Sequence, residues 1–233
     1  MSSRSVAWTT PHSPEEASGE GLRERKKRLM RQQLSDTATE MFVERGFEAV
    51  RVSEIAAACG VSEKTVFNYF PSKEALVLDR WEATTASLRQ SLRDHDVPPV
   101  EAVRRVLDTE LDDLLSWVTA QPDPESACDR MWRFIELTNA APSLRAHQRD
   151  SLDAAVSVVA EILAERAGLA HDAPEPHIAA IALIGLWDVQ ARALRRHLAD
   201  ARDVGSTREE VADEVRRAAH LVESGLATLG PRR

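Results

Sequence analysis

The chain has 233 residues, with 30 Lys and Arg against 38 Asp and Glu for a formal net charge of −8, and it is 43% hydrophobic and 29% charged. That length suits one or two domains with a sizeable core, and the composition excludes wholesale disorder. The longest nearly unbroken apolar run, Ile178 to Trp187, is about half of a membrane-spanning helix, so no membrane partner is expected.

With 9 Gly and 11 Pro, and with Ala, Leu, Glu and Arg predominant, the composition leans to an all-α fold. The charge is segregated. Residues 22–73 hold ten basic and seven acidic groups, a balance of +3, while residues 74–233 hold nineteen and twenty-eight, a balance of −9. A basic block on an acidic body suggests a polyanion-binding head on a domain with another task. The 2 Cys, Cys59 and Cys128, lie far apart with no secretory apolar segment ahead of them. A reducing cytoplasm is therefore expected, and no disulfide, metal site or cofactor.

Along the chain, residues 1–21 mix Ser, Thr, Pro and Glu without periodicity and read as a disordered tail. Leu34, Thr37, Ala38, Met41 and Phe42 then stripe one face of a helix that starts near Leu22 and ends at Gly46. A short helix carries Val52, Ile55, Ala56 and Cys59 and stops at Gly60. Ser62 can cap a second, anchored by Val66 and Phe70 and closed by Pro71, and Ser72 can cap the next. Three compact helices within about fifty residues, two of them joined across a Gly-containing turn, make a helix-turn-helix head.

Beyond Ser72, Val77, Trp81, Thr84, Leu88 and Leu92 stripe a helix that the prolines after Val97 break. Val100, Val103, Leu107, Leu111, Leu114 and Val118 stripe the next. A third holds Met131, Phe134 and Ile135, and a fourth runs from about Pro142 to Gly168. Residues 168–176 read as a loop, and the last two helices as about 177–201 and 207–229, with Gly205 in the loop between them. No segment alternates with period two, which argues against sheet.

A recognition helix must be short and must present small polar groups to base edges in a major groove about 12 Å wide. Around Val61, Val66 and Phe70 as anchors, the outward positions read as Ser62, Glu63, Lys64, Thr65, Asn68 and Tyr69. Asn68 suits adenine, Lys64 guanine and Glu63 only cytosine. Thr65, Tyr69 and Lys73 suit phosphate, as does the helix start opened by Ser72. The basic cluster Arg23, Arg25, Lys26, Lys27, Arg28 and Arg31 opposes the macrodipole of its own helix start. That local cost favours phosphate contact over a merely solvated face.

The stretch Gly46-Phe47, Val52-Ser53-Glu54-Ile55-Ala56, Gly60-Val61-Ser62 and Thr65 through Leu76 closely resembles the DNA-binding head of TetR-type bacterial transcriptional regulators. The resemblance covers about residues 22–80. It implies a helix-turn-helix DNA-binding domain at 22–72 and an all-α effector-binding and dimerisation domain at 73–233. Thr65, Tyr69 and Lys73 take the phosphate-contacting role, and Arg31, Arg51 and Ser53 complete the expected contact set. Two positions depart from the family pattern. Phe67 stands where a tyrosine is usual, and Arg51 replaces the usual Thr or Ser, losing a cap while adding a cation.

In the body, Trp117, Met131, Trp132, Phe134 and Trp187 read either as plain core or as the lining of an apolar effector pocket, which the resemblance favours. Val211, Val215, Ala218, Val222, Gly225 and Leu229 are spaced as a heptad seam. It could face the core of a monomer, but the resemblance implies a four-helix dimer interface built from the last two helices. Ile181, Gly185, Val211, Val215, Ala218, Val222 and Leu226 are its expected members. The function so implied is a cytoplasmic, homodimeric, ligand-responsive regulator, a repressor released from a near-palindromic double-stranded DNA operator by a small apolar or amphipathic effector. The alternatives are an adaptor whose head binds protein, and an all-α enzyme, for which the sequence offers no Glu-x-x-His pair, phosphate loop or nucleophile elbow.

Overall fold

The computed structural model describes residues 21–78, 80–200 and 204–226, among which every regular element is an α-helix. The expected tail at 1–21 falls almost wholly outside them. In chain order the helices are α1 (Leu22–Arg45), α2 (Val52–Ala58), α3 (Glu63–Tyr69), α4 (Ala75–Leu78), α5 (Arg80–Leu92), α6 (Pro99–Thr119), α7 (Pro124–Ala140), α8 (Pro142–Ala167), α9 (Pro174–Asp200) and α10 (Val204–Leu226). They form two compact units. The first takes the described residues of Met1–Asp79 with Arg133–His147, and the second those of Arg80–Trp132 with Gln148–Arg233.

In the first unit α1 buries Leu34, Ala38 and Phe42, the face its 3.6-residue spacing selects, against Phe47, Val50, Ile55, Val66, Phe70 and Leu76. Each fully buried Leu, Ile, Val or Phe among them contributes about 1.5–3 kcal/mol, and the Ala38 methyl less. Gly46 ends α1 at φ +86, its N–H donating to the Phe42 carbonyl at 2.8 Å. Gly60 ends α2 at φ +68. There the Gly60 N–H reaches Ala57 O at 3.1 Å and the Val61 N–H reaches Ala56 O at 2.9 Å, the paired closure that a left-handed residue permits. Val61 itself is half-buried, a weaker anchor than its place in the sequence pattern suggests.

Residues 133–147 also belong to this unit, so the sequence boundary at residue 72 is not where contacts divide. Ala141 and Leu144 are buried in its core, and Phe134 and Leu137 pack against it. Local periodicity states which face of a helix is apolar but not which core will cover it.

The core of the second unit joins Leu88 and Leu92 of α5, Val103 and Leu107 of α6, Val159 and Leu163 of α8, Leu183, Ile184 and Leu186 of α9, and Val215 and Ala219 of α10. α5 stops at Leu92, short of the prolines. The following loop is held by Arg166, whose guanidinium donates to the carbonyls of Leu92 (2.8 Å), Asp94 (3.2 Å), His95 (3.4 Å) and Val97 (2.9 Å). α9 starts at Pro174, so Pro174 and Pro176 occupy its first turn and not a loop. A missing N–H costs nothing there, because first-turn donors have no intrahelical acceptor. Gly205 likewise lies in the first turn of α10.

By length and composition alone, Pro174–Leu198 could cross a membrane. A core helix meets the same criterion, and Ala179, Ala180, Leu183, Ile184 and Leu186 are buried in the core of the second unit.

Candidate nucleic-acid interface

α3 is fixed at both ends. At its start Ser62 Oγ accepts from the Thr65 N–H at 3.1 Å and lies 2.8 Å from Thr65 Oγ1. At its end the Phe70 N–H donates to Val66 O at 2.9 Å, and the Tyr69 carbonyl, which α3 itself leaves open, accepts from Arg31 Nη1 at 2.7 Å. Val66 and Phe70 are fully buried and pin the helix to the core.

What α3 presents is the set Ser62, Glu63, Lys64, Phe67 and Asn68, all exposed. Thr65 and Tyr69, read from the sequence as outward, are half-buried, and Tyr69 packs against the core of the unit. They flank the exposed face instead of occupying it.

Arg51 and Ser53 are exposed at the start of α2. Arg51 supplies no side-chain cap, as expected, and Glu54 makes the reciprocal contact alone: its Oε2 accepts the Arg51 N–H at 2.8 Å, while its Oε1 accepts from Arg45 Nη2 at 2.7 Å. Arg51 has no acceptor atom with which to reciprocate, so half of a capping box forms. The Arg45 hydrogen bond, helped by the Arg51 N–H, holds the Glu54 carboxyl below its ordinary pKa.

Two cations expected at DNA have work inside the unit. The Arg31 guanidinium lies 4.6 Å from the Phe70 ring centroid in addition to holding Tyr69 O. Lys73 Nζ donates to Phe47 O at 2.5 Å and sits 4.3 Å from the Phe47 ring centroid and 5.5 Å from that of Phe42. Ser72 caps α4 as expected, accepting from the Ala75 N–H at 3.1 Å. Arg23, Arg25, Lys26 and Lys27 are exposed on the opening turns of α1, and Arg28 is half-buried.

The five aromatic and thioether residues expected around an effector are divided between the two units. Trp117 and Met131 are buried in the second unit and Trp132 is half-buried, whereas Phe134 packs in the first unit. Trp187 pairs instead with Trp81, ring centroids 6.1 Å apart, and its indole N–H donates to Glu110 Oε2 at 2.9 Å. The other oxygen of Glu110 accepts from the buried Thr84 hydroxyl. Glu110 is the polar centre that sequence reading missed. Its signal was its place three residues after Leu107 and four before Leu114, beside the apolar stripe, but Asp108, Asp112 and Asp113 made it look like one more solvated acid.

The first half of the expected dimer seam on α10 is spent within the chain, and its second half is half-buried. Val211 is fully buried, Val215 is buried in the core of the second unit, and Ala218 and Val222 pack against that core. The spacing was right for a buried stripe, but α9 and α6 of the same chain cover it. The Leu226 side chain and Leu229 lie outside the described residues. On α9, Ile178 is 60% and Ile181 45% exposed and Gly185 is open, while Leu221 of α10 is 76% exposed. Asp188 and Arg192 continue the same α9 face and pair with each other at 2.8 Å.

Residues 34–79 match the family described as bacterial regulatory proteins, tetR family, and residues 97–227 match the MftR C-terminal domain. The chain is similar to the HTH-type transcriptional regulator TcmR of Streptomyces glaucescens, 40% identical over 32% of this chain and 33% of that protein. It is also similar to MftR of Mycobacterium tuberculosis, named as a mycofactocin biosynthesis transcriptional regulator, 29% identical over 58% of this chain and 64% of that protein. The aligned stretches thus span from a third to just under two-thirds of these relatives. Among solved structures, a Thermus thermophilus FadR in complex with lauroyl-CoA matches at a TM-score of 0.48 and 25% identity, over 84% of this chain and 94% of that one.

Proposed function

The chain belongs to the TetR family of bacterial regulatory proteins, and from that premise we infer that it is a sequence-specific DNA-binding transcriptional regulator. The observation that carries this reading is α3. It is capped by Ser62, anchored by Val66 and Phe70, and exposes Lys64 and Asn68, which suit guanine and adenine edges, in a segment of net charge +3. Arg51, Ser53 and the basic start of α1 supply phosphate contacts around it.

The regulator acts in the cytoplasm as a homodimer, with two heads roughly 34–36 Å apart reading successive major grooves of a near-palindromic operator. The exposed α9 face of Ile178, Ile181 and Gly185, with Leu221 of α10, is the surface that supports dimerisation. It takes the place of the buried α10 seam. A small amphipathic effector, bound in the second unit near the Trp81, Trp187 and Glu110 cluster, releases a repressor from DNA by favouring a state with different head spacing.

Selection of duplexes from a random pool by the full chain tests the reading. The expected result is an enriched, near-palindromic site bound with an affinity that falls steeply with salt. Salt-dependent binding without any sequence preference would reduce the protein to a nonspecific polyanion binder.

A further inference from the structure

At 3.6 residues per turn, Glu63, Phe67, Lys64 and Asn68 point at about 0°, 40°, 100° and 140° around α3, with the buried Val66 at about 300°. Phe67 and Lys64 are therefore the middle pair of the exposed arc, and Glu63 and Asn68 are its edges. Phe67 is 46% exposed, whereas Phe42, Phe47 and Phe70 of the same unit are at most 3% exposed and Phe134 is half-buried. A phenyl ring thus stands at the centre of a face that is otherwise polar, where the core of its own unit does not cover it.

The edges of base pairs in a major groove are hydrogen-bonding groups with one apolar exception, the 5-methyl group of thymine. Resting on the DNA-binding reading above, we propose that Phe67 reads sequence by packing its ring on a thymine methyl in each half-site. Asn68, one residue on, can accept from and donate to the adenine of an adjacent or the same A·T pair. Lys64 beside the ring is drawn to guanine or phosphate. A protein partner would also welcome an exposed ring. The excess of basic over acidic groups in this segment and the hydrogen-bonding groups on either side of the ring favour DNA.

The contact removes one methyl group and part of a ring face from water, so it discriminates by about three- to fivefold per methyl. Once a site has been selected with the full chain, each thymine in it is replaced in turn by deoxyuridine, which deletes the methyl and nothing else. The expected result is one symmetric pair of positions at which deoxyuridine weakens wild-type binding about three- to fivefold per substituted half-site.

Phe67→Ala should bind the thymine and deoxyuridine duplexes equally, with melting temperature and salt slope unchanged, and Phe67→Leu should restore part of the difference. Deoxyuridine tolerated at every position, or a methyl preference that survives in Phe67→Ala, overturns the proposal while leaving the DNA-binding reading intact. Failure to enrich any duplex overturns both, and a partner protein lost on Phe67→Ala would then assign the ring to a protein contact.

Discussion

The guanidinium of Arg31 donates to the main-chain carbonyl of Tyr69 across 38 residues of sequence, fastening the first helix to the last residue of α3. A cation at that carbonyl both satisfies an open acceptor and complements the negative end of the helix.

Arg31→Ala should therefore cost about 1.5–3 kcal/mol of stability, the range for hydrogen bonds to charged groups, as measured by urea denaturation. Unchanged stability with a salt slope lower by about 1 would show instead that the side chain turns outward to phosphate.

Lys64 and Lys73 should separate in the same way. Lys64 is exposed, so Lys64→Ala should flatten the plot of log K against log salt by about 1 or relax preference at one base position. Lys73 spends its ammonium on Phe47 O and two ring faces, so Lys73→Ala should instead lower stability by about 1–2 kcal/mol. A full unit lost from the salt slope without loss of stability would return Lys73 to the phosphate contacts.

Charge substitutions divide the two candidate dimer surfaces. Val215→Glu buries a carboxylate in the core of the second unit and should cost more than about 4 kcal/mol, enough to unfold a marginal protein. Ile181→Glu stands on the exposed face and should keep the helical circular dichroism signal while shifting sedimentation from dimer to monomer. A folded, dimeric Ile181→Glu protein would place the interface elsewhere.

Acid should weaken the pairing of α9 with α10. His197 presents Nδ1 to Glu210 at 2.6 Å and Nε2 to Glu214 at 2.9 Å, and Arg196 Nη1 also reaches Glu214 at 2.9 Å. The His197 hydrogen bond, then Arg196, holds the Glu214 carboxyl below its ordinary pKa of 4.5. A carboxyl lowered in the folded state contributes stability that is present above its unfolded pKa and lost as pH falls through the folded one. Wild-type stability should thus decline below about pH 4.5 more steeply than that of Glu214→Gln. Parallel curves would remove Glu214 from the acid response.

The first unit was legible because its signals are local. Ser62, Ser72, Gly46 and Gly60 mark helix ends by their own backbone chemistry, and Leu34, Ala38 and Phe42 mark a face by spacing. The 3-4 spacing of Val211, Val215, Ala218 and Val222 was equally clear, but an apolar stripe says only that it will be buried. Whether a partner chain or α9 and α6 cover it is decided by tertiary geometry. The roles of Arg31 and Lys73 were hidden for a related reason. A long cationic side chain can reach solvent or a carbonyl, and the choice depends on residues 26 or 38 positions away.

The four carbonyls gathered by Arg166 make one side chain the keystone of the 93–98 turn. A guanidinium spreads five N–H groups over a planar fork, whereas an ammonium offers three from one point, so lysine cannot span the same set. The turn and the last residues of α8 therefore loosen together or not at all. Amide exchange in the turn would report on the C-terminal end of α8, about seventy residues farther along the chain.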